Sequence, residues 1–181
     1  GGQRQRIAIA RALAPQPALI ICDEPVSALD LSTQNQIIAL LDSLRQSLGV
    51  SYLFISHDLS VVRRIADRVL VMYAGEIVES GTVDDVFYRA AHPYTVGLKS
   101  AMPSQTTSKA VGLMPIEGAP PDLFNAPVGC GYAARCPNAM RLCGPHRPSR
   151  FEVDPGHHAM CWLHHADAPR SVDSLDRGSR A

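Results

Sequence analysis

The stretch Ala18-Leu19-Ile20-Ile21-Cys22-Asp23-Glu24-Pro25 places a short apolar run directly before two adjacent carboxylates. A continuous apolar run of this length is typical of a strand that is buried on both faces of a parallel sheet. A second run, Ser51–Ser56, follows a segment with apolar residues at helical spacing and leads into His57. Strand, helix, strand and helix in this order indicate a right-handed parallel α/β unit. Cys22, inside the first run, is interpreted as a small buried hydrophobe.

The other regular elements are predicted from periodicity, capping residues and turn residues. They are, in chain order, a helix over residues 3–14, a helix capped by Ser32 and Thr33 and ended by Gly49, a helix capped by Asp58 that runs to about Ala66, strands over Arg68–Tyr73 and Glu76–Ser80 joined by a tight turn, and a short helix over Thr82–Tyr88. Beyond His92-Pro93 the density of Pro, Gly and Ser rises, and residues 104–109 are predicted to be a linker.

The charge balance excludes some classes of protein. The 181 residues carry 17 Lys and Arg against 17 Asp and Glu, which gives a formal net charge of zero. A surface that coats nucleic acid is therefore not expected, because phosphate binding needs an excess of basic side chains. No apolar stretch approaches the ~20 residues of a membrane-spanning helix, and no signal peptide is recognised. Any membrane association is expected to go through a protein partner.

The residues at the ends of the two apolar runs suit chemistry at a nucleotide phosphate. Asp23 can help to hold Mg²⁺, usually through water, because this ion gives up its hydration shell reluctantly. Glu24 can orient or deprotonate an attacking water. Gly1-Gly2-Gln3 opens the first helix, where free N–H groups favour a bound phosphate and absent β-carbons allow close approach. Each pattern alone is common at solvated strand ends and helix starts, whereas their combination with His57 favours a functional site.

The order and spacing of these motifs resemble the ATP-binding cassette (ABC) family, from the second half of its signature motif onward. The resemblance implies an α/β fold, the C-terminal part of an ABC-type P-loop ATPase domain, that hydrolyses ATP with Mg²⁺. It also implies that Gly1-Gly2-Gln3 contacts the γ-phosphate bound by an opposite subunit. Asp30, in Ser27-Ala28-Leu29-Asp30, resembles the aspartate that organises the interface between two ATPase subunits. His57 resembles the switch histidine that contacts the γ-phosphate.

A second resemblance concerns the segment after these motifs. His92-Pro93-Tyr94-Thr95, followed by Leu98 and Ala101-Met102-Pro103, resembles the C-terminal extension of ATPases that power bacterial oligopeptide and dipeptide importers. Glu24–Asp30 and Tyr52–Leu59 resemble the second of the two distinct ATPase subunits of such importers. The implied partners are a paralogous ATPase subunit in a heterodimer, two membrane permeases and an external peptide-binding protein. The implied location is peripheral, on the cytoplasmic face of the bacterial cell membrane.

Two alternatives to peptide import stay open at this point. Relatives with the same extension handle nickel or glutathione. A non-transport ABC ATPase acting on nucleic acid or ribosomes would share the acidic pair and the histidine, but it would not be expected to carry the extension. Nucleic acid is therefore not an expected partner.

Four of the five cysteines, Cys130, Cys136, Cys143 and Cys161, lie in residues 127–165, which we call the cysteine unit. Four thiolates can complete a tetrahedral zinc site or hold an iron–sulfur cluster. The spacing lacks the close Cys-x2-Cys pairs of zinc ribbons, and it resembles the peptide-importer tail, where some members carry a four-iron cluster. A 4Fe–4S cluster is therefore expected, with zinc, no metal, or an iron–sulfur sensor on an ATPase remnant as alternatives. Nearby histidines are interpreted as solvated tail residues: His146, His157, His158, His164 and His165.

The sequence divides into four predicted parts. They are a truncated ABC ATPase domain (residues 1–82), an importer-type extension and linker (residues 83–126), the cysteine unit (residues 127–165) and a disordered tail (residues 166–181). The family's phosphate-binding loop, which supplies most contacts to ATP, is not among these residues. The 181-residue chain alone is therefore expected neither to hydrolyse ATP nor to unfold cooperatively.

Overall fold

The computed structural model of the protein describes residues 1–101, 118–119, 121–122 and 124–168. The chain divides into two units with the boundary between Ala66 and Asp67. The predicted linker at residues 104–109 and most of the predicted tail lie outside the described residues. The division into four parts expected from the sequence stays a prediction.

The first unit is a strand–helix–strand–helix arrangement preceded by one helix. Its elements are α1 (Gly2–Leu13), β1 (Leu19–Asp23), α2 (Leu31–Leu48), β2 (Ser51–Ile55) and α3 (Leu59–Ile65). The two strands pair in parallel, with Leu19 opposite Ser51 and Asp23 opposite Ile55. The predicted parallel α/β unit is therefore present.

Helices cover one face of this two-stranded sheet. The core consists of Val26, Ile37, Ile38, Leu41 and Val61, and Tyr52 and Phe54 of β2 pack against it. On the opposite face the apolar side chains are exposed: Leu19, Ile21, Leu53 and Ile55. The prediction of a strand buried on both faces is therefore wrong for β1 within this unit, because alternate side chains point to opposite faces and only one carries helices.

The helix ends of the first unit are fixed by side-chain and backbone caps. Asp30 caps α2, since its Oδ1 accepts the Thr33 N–H at 3.0 Å. The predicted cap at Ser32 and Thr33 is thus wrong by two to three residues, because Asp30 has the extended backbone that a cap needs. Gly49 ends α2 with a left-handed φ of 67°, and Asp58 caps α3 through the Ser60 N–H at 2.8 Å, both as predicted.

The second unit is built on a four-stranded antiparallel sheet. Its strands are β3 (Arg68–Tyr73), β4 (Glu76–Thr82), β5 (Phe151–Asp154) and β6 (His157–Ala159), in the spatial order β3-β4-β6-β5. Ala74 and Gly75 join β3 to β4 with φ values of 51° and 82°, which is the two-residue hairpin turn expected from sequence. The hairpin of β5 and β6, from the cysteine unit, continues the sheet beside β4.

Helices α4 (Val83–Tyr88) and α5 (Pro93–Ser100) follow β4, and two single-turn 3-10 helices cover Ala133–Arg135 and Trp162–His164. Thr82 caps α4 in a capping box with Asp85, as the predicted helix over Thr82–Tyr88 requires. His92 caps α5 and Pro93 begins it, a position that proline tolerates because the first helical N–H groups have no partner in the helix.

Candidate active site

The candidate active site lies where β1 and β2 end. Glu24, the first residue after β1, donates its N–H to Ile55 O at 3.0 Å and has a left-handed φ of 47°. Its carbonyl accepts the Ser27 hydroxyl at 3.1 Å. A non-glycine residue in this backbone region is strained, and such strain is concentrated at functional positions. The turn therefore holds a carboxylate at a position where glycine would be easier to accommodate.

Glu24 and His57 meet directly. Glu24 Oε1 lies 2.7 Å from His57 Nδ1, and the two side chains are 40% and 76% exposed. The hydrogen bond from the imidazole lowers the pKa of Glu24, and the same bond raises the pKa of His57. The structure thus brings together the two residues predicted to be catalytic, while their catalytic roles stay a prediction.

The backbone on both sides of His57 is anchored. Ser56 Oγ accepts the Asp58 N–H at 3.0 Å, and Gln34 Nε2 of α2 donates to Asp58 Oδ2 at 3.4 Å. The other carboxylate oxygen of Asp58 caps α3. His57 therefore projects from a short segment held between α2 and α3, and its imidazole remains exposed toward solvent.

Asp23 is the last residue of β1 and is exposed beside Glu24. An exposed carboxylate at a strand end is an oxygen donor of the kind that Mg²⁺ binds through one side chain together with water and phosphate. The residue fits the predicted metal-binding role, which stays a prediction.

Gly1 and Gly2 lie against the start of α2. A β-carbon at Gly1 would come within 2.7 Å of Leu29 Cδ2, and one at Gly2 within 2.4 Å of Thr33 Cγ2. Both glycines therefore have a packing role, in addition to the phosphate contact predicted for Gly1-Gly2-Gln3. Asp30 has a local role as well, because its carboxylate holds Thr33 through both the N–H and the hydroxyl.

Four cysteines of the second unit lie close to one another. Burial, with smaller contributions from neighbouring thiols, raises the pKa of Cys136 to about 11 and that of Cys161 to about 12. Burial followed by the Cys143 thiol also raises the pKa of Cys130, and all are free. The expected metal site is not formed as such: within residues 1–101, 118–119, 121–122 and 124–168, no group of three or more His, Cys, Asp or Glu side chains is arranged to hold a metal ion.

Cys22 lies apart from these four in sequence and is buried in β1 with 9% of its surface exposed. Burial raises the pKa of its thiol. This agrees with its interpretation as a small hydrophobe.

Sequence reasoning missed a buried carboxylate–imidazole pair in the second unit. Glu79 Oε1 of β4 lies 2.8 Å from His157 Nε2 of β6, and both side chains are completely buried. The interpretation of His157 as a solvated tail residue is therefore wrong, because β6 pairs with β4 and takes the imidazole into the interior. Glu79 directly follows Ile77-Val78 in a predicted strand. A charged residue inside such a run was the one sequence signal that could have indicated a buried carboxylate.

His92, in the segment that resembled the importer extension, is also buried. Its Nδ1 accepts the Tyr94 N–H at 3.1 Å. Burial, with a smaller effect of His164, lowers the pKa of His92 to about 4. The imidazole is therefore neutral near pH 7, which leaves Nδ1 free to accept this hydrogen bond.

No helix in the described part of the chain is both long enough and apolar enough to cross a membrane.

Comparison with known families gives two matches on different parts of the chain. The family described as "Oligopeptide/dipeptide transporter, C-terminal region" matches residues 78–143, and the family described as "ABC transporter" matches residues 1–27. The first match covers β4 from Val78 onward, the segment that contains His92, and the first three cysteines of the cysteine unit. The second covers α1, β1 and the acidic pair.

Individual proteins are similar over nearly all of the chain. The oligopeptide transport ATP-binding protein OppD of Bacillus subtilis is 49% identical over 94% of this chain and 48% of that protein. The dipeptide transport ATP-binding protein DppD of the same organism is 47% identical over 97% of this chain and 52% of that protein. A solved dimeric ATP-binding cassette with ADP and phosphate is 38% identical over 45% of this chain and 35% of that chain, with a TM-score of 0.41. The chain spans about half the length of the curated relatives it matches.

Proposed function

Because the chain belongs to the family of ATP-binding proteins of oligopeptide and dipeptide ABC transporters, we propose that the whole protein hydrolyses ATP to energise peptide import. The observation that carries the proposal is the 2.7 Å contact between Glu24 and His57 at the ends of two adjacent parallel strands. Relatives named for peptide transport over nearly the whole chain support the substrate class.

Glu24 is suited to act on an attacking water. Its pKa is lowered by the hydrogen bond to His57, so the carboxylate is ionised at neutral pH and able to accept a proton or orient a water. His57, 76% exposed on its free side, can reach a phosphate oxygen while its Nδ1 holds Glu24. Asp23 would help to hold Mg²⁺, which neutralises charge on the phosphates when bound.

The remaining predicted site residues act between subunits in this proposal. Gly1-Gly2-Gln3 begins α1, where free N–H groups favour an anion, and would face the γ-phosphate held by a partner ATPase. Asp30, at the start of α2, would lie at the same interface. The contact between α1 and the start of α2 through Gly2 and Thr33 supports a concerted role for the two segments.

The test is ATP turnover of the full-length protein with Glu24→Gln and His57→Ala. We expect each to lower turnover by about 10²–10⁴-fold, the size of a lost general base, with ATP binding retained. Asp42→Asn is the matched control, since Asp42 is another partly exposed acid of the first unit but pairs with Arg45. Turnover that survives Glu24→Gln would contradict the proposal.

The proposed assembly contains a paralogous ATPase subunit, two membrane permeases and an external peptide-binding protein, with this subunit peripheral on the cytoplasmic face of the cell membrane. The transported substrate is identified by comparing the uptake of labelled dipeptides, oligopeptides, nickel and glutathione in cells with the unchanged protein and in cells that carry Glu24→Gln. Loss of peptide uptake supports the proposal, whereas loss of nickel or glutathione uptake alone would reassign the substrate. The prediction that the chain represents the second of two ATPase subunits stays open.

We also propose that the cysteine unit binds a thiolate-ligated metal centre, a 4Fe–4S cluster rather than zinc. Cys130, Cys136, Cys143 and Cys161 supply the four thiols that such a group needs, and burial and, to a lesser degree, neighbouring thiols raise the pKa of Cys130, Cys136 and Cys161. The described residues do not arrange these thiols as a metal site, so binding would have to draw them together. Burial disfavours the thiolates of Cys130, Cys136 and Cys161 in the absence of a cation, and a bound metal would reverse this. When bound, the group would cross-link a segment with little core of its own.

Metal analysis of the anaerobically purified full-length protein tests this second proposal. We expect about four iron and four sulfide per chain, lost in Cys143→Ser and retained in Cys22→Ser, the control with its buried thiol in β1. Stoichiometric zinc without iron would assign zinc instead, and no metal would refute metal binding.

A further inference from the structure

Two glutamines near the start of α2 reach out in different directions to different elements. Gln34 Nε2 donates to Asp58 Oδ2, next to His57, at 3.4 Å. Gln36 Oε1 accepts a hydrogen bond from Arg6 Nη2 of α1, also at 3.4 Å. Residues two apart in a helix do not share a face, so the two amides serve separate contacts. Gln34 is therefore the one of the pair that touches the segment carrying the predicted switch histidine.

The carboxylate that Gln34 contacts is shared between two helices. Asp58 Oδ1 accepts the Ser60 N–H at 2.8 Å and caps α3, whereas Oδ2 faces Gln34 of α2. The Ser60 hydroxyl and, to a smaller degree, the Gln34 amide lower the pKa of Asp58. The carboxylate is thus ionised at neutral pH, and a hydrogen bond to an ionised acceptor is stronger than one between neutral groups.

The direction of the His57 imidazole depends on the backbone around it. The ring is 76% exposed and meets Glu24 through Nδ1 at 2.7 Å, so packing does little to select its position. Before His57, β2 is tied to the acidic turn, since Ile55 O accepts the Glu24 N–H at 3.0 Å. After His57, the chain is tied through Asp58, whose N–H donates to Ser56 Oγ at 3.0 Å.

The helix that carries Gln34 is firmly seated. Ile37 and Leu41 of α2 are 0% and 2% exposed in the core of the first unit. The Gln34 N–H itself donates to Asp30 O at 2.8 Å in the first turn of the helix. A functional group is placed most precisely when its support comes from a rigid element. Gln34 thus offers Asp58 a fixed point on α2.

We propose that Gln34 is a positioning residue for His57. Its amide holds Asp58 from α2, and through Asp58 it keeps the imidazole within hydrogen-bonding distance of Glu24. The consequence for ATP turnover rests on the proposed function, whereas the positioning itself rests on the contacts of the first unit.

Gln34→Met in the full-length protein tests the proposal, because methionine keeps the length of the side chain but cannot donate. We expect kcat for ATP to fall by about tenfold or more with KM little changed, since a misplacement of about 1 Å can cost about 10²-fold. The pKa of His57 should also fall, because its hydrogen bond to Glu24 raises it. Hydrogen exchange of α3 should stay the same, since Asp58 Oδ1 still caps that helix.

The neighbouring glutamine provides the matched control. Gln36→Met removes an amide of the same helix whose hydrogen bond goes to α1. It should leave both kcat and the pKa of His57 unchanged.

Reversing donor and acceptor provides a rescue. Gln34→Glu places a second carboxylate against Asp58 and should lower kcat more than Gln34→Met does, because like charges repel. Adding Asp58→Asn restores one donor and one acceptor with their places exchanged, and asparagine can still cap α3. The double variant should recover most of the lost kcat and return the pKa of His57 toward its original value.

The outcomes decide the positioning role separately from the proposed function. Unchanged kcat and His57 pKa in Gln34→Met would overturn it. An equal loss in Gln36→Met, no recovery in the double variant, or faster exchange throughout α3 would assign Gln34 a purely structural role and overturn it as well. If Glu24→Gln and His57→Ala retain turnover, the proposed function fails, while the pKa of His57 in the Gln34 variants still decides the positioning.

Discussion

Each unit of the molecule contains a carboxylate–imidazole pair closer than 3 Å, and these two pairs lie in opposite environments. Glu24 and His57 are 2.7 Å apart and are 40% and 76% exposed, whereas Glu79 and His157 are 2.8 Å apart and completely buried. Solvent screens the first pair, so it contributes little to stability and stays accessible to a substrate. The second pair is closed to any substrate and holds backbone groups. In the proposed function the same pair of groups would thus serve the reaction in the first unit, while it supports the structure in the second.

The largest effect should come from Glu79→Ala. The change leaves the Ala91 and His92 N–H groups and the His157 imidazole without their shared acceptor, and breaking a buried pair costs about 3–5 kcal/mol. Glu24→Ala, the matched change at the exposed pair, should leave stability almost unchanged, because solvent screens that pair. The measurement is native-state hydrogen exchange of β4 and β6 in the full-length protein. Equal costs at the two pairs would break the comparison.

Acid should destabilise the second unit through His92. Burial lowers the folded-state pKa of His92 to about 4 from an ordinary value near 6.5, so the unfolded chain binds more protons in this range. The free energy of unfolding should therefore fall as the pH drops from about 6.5 to 4, by about 3 kcal/mol in all. Exchange of α5 at several pH values measures this fall.

The control for the pH dependence is His92→Asn, which can still cap α5 but does not titrate. It should flatten the dependence between pH 6.5 and 4. A dependence that persists unchanged in this variant would assign it to another group.

A smaller effect is expected at Asp30. Asp30→Ala removes the cap of α2 and should destabilise the first turn of that helix, whereas Asp30→Asn should preserve the cap. Because Asp30 is also proposed to lie at a subunit interface, ATP turnover of the full-length Asp30→Asn variant separates the two roles. If Asp30→Asn loses ATP turnover while hydrogen exchange of α2 stays normal, Asp30 acts at the interface. If turnover and α2 protection are lost only in Asp30→Ala, Asp30 acts as a helix cap alone.

The exposed site could be predicted from sequence because its parts are local. A strand end, two acids and a histidine after the next strand occur in fixed order, and parallel pairing of β1 with β2 is enough to bring Glu24 and His57 together. The caps at Asp58 and Thr82 were likewise predictable, since a cap and its N–H partner lie within three residues. Local sequence signals were therefore sufficient to predict most helices and strands of the first unit.

The buried pair could not be predicted, because Glu79 and His157 are 78 residues apart. Their contact depends on β6 joining β4, and three residues of β6 carry too little periodicity to reveal that pairing. The one-sided burial of β1 was missed for a related reason, since an apolar run does not say how many faces are covered within its unit. A local sequence pattern specifies neither which distant strands pair nor how many faces of a sheet are covered by helices.

The smallest predicted change is a pKa at the exposed pair. In the full-length protein, Glu24→Gln should lower the pKa of His57, because the hydrogen bond and charge of the carboxylate raise it. Asp42→Asn should leave it unchanged. Since the pKa of His57 is raised on folding, any stabilisation by the pair is present below its unfolded-state pKa and is lost as the pH rises through the folded value. An NMR titration of His57 that is identical with and without the Glu24 carboxylate would show that the 2.7 Å contact is not made in solution, and the proposed division between reactive and structural pairs would then lose its exposed half.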